Sequence, residues 1–293
     1  MSFLRAILAL SRPWALPTIW SNCLAGWWLG GGGNPGEFAV VLVGATLLYL
    51  GGVFLNDAFD ADYDQQHRRT RPIPAGALSH DTVWRWGLGG LVAGALLLLL
   101  PGRATGSIGL VLACCIIVYN ALHRLLTFSP ALLGFCRLLL YVLGASAAER
   151  GVSGWAIWCG LALAVYMTGL GFFARWQRLL GPKQCWPAFL LAAPMLLALV
   201  MDVDGYREPG LLLCVVLGLW VLRSLRSTCW SAERDLNRTV SGLMAGIVFA
   251  DWLAACPVGL LAGQDLNGPR AVSFMFIALF LATLGLQRLT PTR

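Results

Sequence analysis

Hydrophobic residues in this chain gather into long uninterrupted blocks, and polar residues are confined to the short stretches between them. Ten blocks recur, at about residues 14–31, 38–56, 84–100, 104–121, 130–148, 155–173, 185–201, 208–222, 240–262 and 270–287. Most approach the roughly 20 residues that a helix needs to cross a ~30 Å hydrocarbon core. They lack the apolar–polar alternation of a transmembrane barrel strand. The pattern predicts an all-α polytopic membrane bundle with nine to ten transmembrane helices. No interval between blocks is long enough for a water-soluble core, so residues 1–293 read as one transmembrane domain. The opening MSFLRAILAL is too short for a signal peptide, lacks its cleavage site and reads as an interfacial amphipathic segment.

Composition sharpens this reading. The chain is 58% hydrophobic and 12% charged, against about 25% charged in a soluble domain. A net charge of +7 invites a nucleic-acid partner, but the distribution of the basic residues argues against one. Sorted by alternate loops, Arg103, Arg150, Arg207 and Arg270 fall on one side of the bundle. Apart from Arg137, which lies inside a block, the remaining sixteen Lys and Arg fall on the other. That is the positive-inside bias. It predicts a multi-pass protein of a bacterial-type inner or plasma membrane, with both termini in the cytoplasm. The nine cysteines include no C-x-x-C pair and lie mostly in the apolar blocks, where they read as small buried hydrophobes.

Polar residues concentrate at the end of the second block, in NDAFDADYDQQHRRTRPIPAG from Asn56 to Gly76. If the helix runs on to Asp64, then Asn56, Asp60 and Asp64 stand at i, i+4 and i+8 and share a face with Asp57, while Asp62 points elsewhere. A stripe of oxygen donors followed by His67, Arg68, Arg69 and Arg71 has two natural uses. The acids can bind Mg²⁺, and arginines with that ion can hold a phosphate or diphosphate. The alternative is a solvated helix end whose acids offset the arginines. Acids beside a membrane bundle favour the functional reading. The prolines of Arg71-Pro72-Ile73-Pro74-Ala75-Gly76 exclude regular helix and predict a rigid turn that returns Arg71 towards the carboxylates.

Further candidates lie on the same side. Tyr119-Asn120 with His123 and Arg124 closes the fourth block. Arg137, one to two turns into the fifth, either snorkels to the headgroups or faces a cavity, where it would converge with His123, Arg124 and Arg71. Asp251 lies deep in the ninth block and is either paired within the bundle or lines a polar path. The mixed-charge stretch from Ser231 to Arg238 reads as structural.

The N-D-x-x-D-x-x-x-D motif at 56–64 with R-P-x-P-x-G at 71–76 resembles the first signature of the UbiA superfamily of intramembrane prenyltransferases. Arg12-Pro13, Tyr119-Asn120 and Gly134 to Arg137 extend the likeness over about two-thirds of the chain. The resemblance implies a helical bundle around a central cavity open to lipid. It implies Mg²⁺ held by Asn56, Asp57, Asp60 and Asp64, the three aspartates being catalytic. It implies a prenyl diphosphate contacted by Asn56, Arg71, Tyr119, Arg124, Arg137 and Arg175, and a lipophilic, usually aromatic, acceptor. The family's second aspartate motif belongs after the sixth block, where this chain reads GFFARWQRLLGPKQ, and no Asp or Glu occurs between Glu149 and Asp202. One motif without the other is similar to the EboC-like group of the superfamily. Three readings stay open: transfer with one metal, Arg175, Arg178 and Lys183 doing the second's electrostatic work; binding or transport of an isoprenoid or other lipophilic metabolite without transfer; or substitution by Glu233 and Asp235.

Overall fold

The computed structural model describes residues 3–175, 186–200, 207–230, 235–261 and 268–289. Among these there is no strand. In chain order the helices are α1 (Phe3–Ser11), α2 (Leu16–Leu29), α3 (Pro35–Phe59), α4 (Ala61–His67), α5 (His80–Leu97), α6 (Arg103–Leu122), α7 (Ser129–Ser146), α8 (Gly154–Ala174), α9 (Pro187–Leu190), α10 (Ala193–Val200), α11 (Arg207–Cys229), α12 (Leu236–Leu261) and α13 (Gly268–Leu289). A 3₁₀ turn, Pro13–Ala15, joins α1 to α2.

Each of the ten apolar blocks contains helix, yet among the described residues seven helices are long and apolar enough to cross a membrane: α3, α6, α7, α8, α11, α12 and α13. Among the described residues the expected count of nine to ten is not confirmed, for local reasons. Helix α2 has 14 residues, about 21 Å at 1.5 Å per residue, short of the hydrocarbon thickness. Helix α5 opens on His80-Asp81 and carries Arg85. The seventh block divides into α9 and α10, where Pro194 has no N–H with which to continue the preceding helix.

Local chemistry starts the long helices. Pro35 fills the first turn of α3, and the Asn34 side chain accepts from Gly36 N at 2.8 Å. Ser79 and Ser153 cap α5 and α8 in the same way. Backbones then approach closely through small residues, as lipid-embedded helices require. A Cβ on Gly51 of α3 would lie 2.7 Å from the Gly87 carbonyl oxygen of α5. Gly26 of α2 sits against the Tyr141 carbonyl and Gly144 of α7 against that of Cys23. The main apolar core draws on α2, α3, α7, α8, α11 and α12. A smaller core seats Ala6 and Leu10 of α1 on Ala58 and Val83, with Ile73 of the proline turn packed beside them. That contact holds the turn against the end of α3.

Candidate active site

Helix α3 ends at Phe59, Asp60 takes the joint with φ −86° and ψ −4°, and α4 begins at Ala61. Backbone bonds from Asp60 N to Asn56 O (3.0 Å), Asp64 N to Asp60 O (2.9 Å) and Arg68 N to Asp64 O (2.7 Å) carry the i to i−4 pattern through the joint. Asn56, Asp57, Asp60 and Asp64 therefore stay together although the helix is not continuous. Asp57, Asp60 and Asp64 are 5%, 8% and 1% exposed, whereas Asp62 is exposed. A solvated helix end is excluded.

Three arginines from separate segments close on the acids. Arg12 Nη2 donates to Asp57 Oδ1 (2.5 Å) and to Asn56 Oδ1 (3.1 Å). Arg71 Nη1 lies 2.9 Å from Asp57 Oδ1 and 3.2 Å from Asp64 Oδ2. Arg124 Nε donates to Asp60 Oδ1 at 2.6 Å while its guanidinium lies 3.8 Å from the centre of the Tyr63 ring. His123 Nε2 is 3.3 Å from the same Asp60 oxygen.

Each arginine is aimed by its own segment. The turn bonds Ala75 N to Arg71 O and Gly76 N to Ile73 O, with Gly76 at φ +69°, turn the chain back and leave Arg71 over the carboxylates. Arg12, just before Pro13, is the one non-glycine residue with positive φ among the described residues (φ 42°, ψ 56°). Such a conformation is unfavourable for a long side chain and persists only where its surroundings hold it. Here Tyr49 OH donates to its carbonyl at 2.9 Å. Asn120 fixes Asn56, accepting from its Nδ2 at 3.2 Å and donating to Gly52 O at 3.0 Å.

Burial pushes the Asp60 carboxyl up, but hydrogen bonds from His123 and Arg124 more than reverse this and hold it at about 2. Asp64 behaves oppositely: burial raises it and Arg71 reverses only part of the shift. For Arg12 the cost of burial is outweighed by Asp57 together with Tyr49 and Tyr119, which leaves its guanidinium more basic than usual.

Asn56 and Arg12 form the polar end of a cavity of about 230 Å³. Its walls are mostly apolar, including Ala45, Leu48, Ile116, Leu133, Met167 and Met244, with Tyr119 and Arg137 also lining it. Asp57 connects to the cavity through Arg12 rather than by lining it.

The expected site residues divide. Asn56, Asp57, Asp60, Asp64, Arg71 and Arg124 come together, and Tyr119 stands in the cavity wall with its ring 5.5 Å from that of His123. Arg137 does not converge with Arg71 and Arg124. Its Nη1 donates to Thr18 O (3.2 Å), Thr18 Oγ1 (3.1 Å) and Asn22 Oδ1 (2.8 Å) on α2. Arg175 holds the α6–α7 connection, donating to His123 O (2.7 Å), Leu126 O (3.2 Å) and Ser129 Oγ. Arg178, Lys183 and Glu233 lie outside the described residues, and Asp235 caps α12, accepting from Arg238 N at 2.9 Å. Arg12, His123 and Asn120, which the sequence names neither as Mg²⁺ ligands nor as diphosphate contacts, prove to join the acids directly or through Asn56. The only signals available were Arg12-Pro13 ahead of the first block and the polar end of the fourth.

These residues can be tested against a metal. Among the described residues no three His, Cys, Asp or Glu side chains are grouped closely enough to hold an ion by themselves. Yet Asp57 and Asp60 each give one oxygen to the cations, and among the described residues their other oxygen and the buried Oδ1 of Asp64 meet no hydrogen-bond partner. Mg²⁺ is commonly held by one or two carboxylates together with substrate phosphates and water. That donor set fits these oxygens, whereas an all-protein cage does not.

The fold and site define a class: an all-helical integral membrane protein with a buried acid–arginine cluster at the mouth of an apolar cavity. The model of the UbiA prenyltransferase family matches residues 15–181, more than half of the chain, and the protein belongs to that family. Its fold is similar to one described in a study of digeranylgeranylglyceryl phosphate synthase (TM-score 0.55, 15% identity, 98% of this chain and 97% of that one). It is also similar to an apo UbiA homolog from Aeropyrum pernix K1 (TM-score 0.52, 15% identity, 99% and 98% covered). A third similar fold is a UbiA homolog from Archaeoglobus fulgidus bound to DMAPP and Mg²⁺ (TM-score 0.50, 15% identity, 96% and 98% covered). At these identities the likeness is one of fold. No curated protein sequence matches the chain.

Proposed function

We propose that the protein is an intramembrane prenyltransferase that moves an isoprenoid group from a prenyl diphosphate to a lipophilic, aromatic acceptor. The observation that carries this reading is the buried stripe of Asp57, Asp60 and Asp64, neutralised by Arg12, Arg71 and Arg124, where the apolar cavity becomes polar. The fold-mate bound to DMAPP and Mg²⁺ supports it. The whole chain then serves as one membrane domain, α2 and α5 joining the longer helices as crossings, with the acidic stripe on the cytoplasmic side of a bacterial inner membrane.

Mg²⁺, held by Asn56, Asp57, Asp60 and Asp64 with the diphosphate oxygens, would supply positive charge to the departing group. The chain's own residues do the rest. At rest Arg12, Arg71 and Arg124 are charged guanidinium groups that neutralise the acids. As the diphosphate enters, their guanidinium groups turn part of their donor capacity to its oxygens, stabilising charge that grows as the C–O bond breaks. The apolar walls seat the isoprenoid and keep water from the allylic cation, and Tyr119 borders the space in which an acceptor carbon attacks it. Arg175 supports the connection that carries His123 and Arg124 rather than touching substrate.

A second reading has its own observation: the end of α8 presents Arg175 and no carboxylate, so a ligand could be held there without transfer. One experiment separates the two. Purified protein with MgCl₂ and dimethylallyl, geranyl, farnesyl and geranylgeranyl diphosphates, with mixed phenolic and quinol acceptors, is expected to release diphosphate, and EDTA to stop it. Binding of a donor without release would leave the non-catalytic binder; neither binding nor release would remove both.

A further inference from the structure

A second polar cluster lies in the middle of the bundle. Asp251 of α12 is fully buried, and its carboxylate is held by neutral donors: Ser21 Oγ and Asn22 Nδ2 (2.7 Å) on Oδ2, Tyr141 OH (2.6 Å) on Oδ1. Asn22 faces both ways, donating to Asp251 and accepting from Arg137 at 2.8 Å. The arrangement follows from helix geometry. Thr18, Ser21 and Asn22 stand at i, i+3 and i+4 on α2, and Arg137 and Tyr141 at i and i+4 on α7, so each helix presents one polar face to the other. Only Nη1 of Arg137 has a hydrogen-bond partner among the described residues, and the residue lines the cavity.

A guanidinium at this depth is costly without a counter-charge, and a buried carboxylate costs as much. No direct ion pair joins them; the charges meet through one amide. A direct pair would turn the guanidinium onto the acid. An intervening asparagine balances the charge while leaving the remaining donors available to the cavity.

We infer that Asp251 is a positioning residue: through Asn22 it holds Arg137 in the cavity wall as a fixed cation that contacts the ligand, opposite in role to the exchangeable arginines at the mouth. This rests on the ligand-binding reading of the cavity, and the experiment keeps the two apart.

Thermal unfolding in detergent is measured for Asp251→Asn, Arg137→Met and the double variant, with binding of dimethylallyl to geranylgeranyl diphosphates in MgCl₂ followed as a ligand-induced rise in Tm. Each single variant is expected to lose about 8 °C or more, and the double to return to within about 4 °C of wild type, because removing both charges leaves neither unbalanced. For the diphosphate probe, Arg137→Met and Asp251→Asn are each expected to weaken binding about tenfold, the double variant no more than Arg137→Met alone. Asp251→Glu, which keeps the charge, is expected to recover part of the loss. Additive thermal losses, additive binding losses, or unchanged binding in Arg137→Met would each overturn the inference. If wild type binds none of the four diphosphates, the ligand reading fails by itself, and the thermal cycle alone decides whether Asp251 and Arg137 are coupled.

Discussion

Two carboxylate sites share this bundle, and they are built differently. At the mouth, Asp57, Asp60 and Asp64 meet arginines directly, and the arginine side chains are 23–35% exposed. In the interior, Asp251 meets hydroxyls and an amide, and its arginine stands one residue away. A direct pair with a half-wet arginine can exchange partners when a stronger anion arrives, because solvent already weakens it. A buried carboxylate satisfied by several neutral donors has no such freedom: moving any donor leaves an unpaired buried charge. The contrast separates a site built to change partners from one built to stay fixed.

The largest expected effect is at the mouth. Asp57 is shared by Arg12 and Arg71, so Asp57→Asn should disturb both cations and lower diphosphate release about a hundredfold, in the range seen for loss of one electrostatic contact to developing charge. Asp62→Asn, two residues before Asp64 but exposed, should change it less than about twofold. Equal losses in the two variants would mean that acid number, not the buried stripe, matters.

The interior should respond in stability before chemistry. Tyr141→Phe removes one donor from Asp251 Oδ1 while Asn22 keeps its link to Arg137. A loss of about 1–3 kcal/mol is expected, the usual cost of leaving a buried acceptor unsatisfied, read as a drop in Tm with turnover changed less than about threefold. A large fall in turnover at unchanged Tm would reverse the roles assigned to the two sites.

How much of this was readable beforehand follows the range of the interactions. The helical blocks were legible because burial in lipid demands long apolar runs, and the stripe at 56–64 because its spacing is local to one helix. The return of Arg71 was legible because two prolines and Gly76 leave the chain few other paths. Arg12 was not: its role depends on a left-handed backbone held by Tyr49, 37 residues away in sequence. The sequence marks Arg137 as a cavity candidate but groups it with the diphosphate contacts, because nothing local to α7 shows that Thr18 and Asn22 face it. The crossing count stays unconfirmed where a block's composition is apolar but its helix is short, as in α2, or broken, as at Pro194.

Tyr49 gives a smaller test of the mouth. Its hydroxyl holds the Arg12 carbonyl, so Tyr49→Phe gives up about 1 kcal/mol of support and should weaken donor binding roughly fivefold while leaving Asp57 and Arg71 in place. Arg12→Lys keeps the charge but not the fork that spans Asp57 and Asn56, and should not restore binding in that background. Recovery by lysine would mean that charge alone, not the aimed guanidinium, supports the site.

The smallest effect is also the most discriminating within the mouth, because two neighbouring acids should titrate with opposite slopes. Asp60 sits at about 2 in the folded protein, below the ordinary ~3.9 of an unfolded aspartate. Between those values the unfolded chain binds more protons, so stability from Asp60 is complete above about pH 5 and is lost as pH falls from 4 towards 2. Asp64 is shifted upward, so just above the ordinary aspartate range the folded chain binds more protons and its contribution falls as pH rises. In metal-free protein the Tm advantage of wild type over Asp60→Asn should therefore shrink on acidification below pH 4. The Tm of wild type relative to Asp64→Asn should instead improve as the pH is lowered towards that point. Scans from pH 3 to 7 in EDTA measure both differences. Two slopes of the same sign would show that the carboxylates answer to one shared environment, not to the separate pairs formed by Arg124 with Asp60 and Arg71 with Asp64.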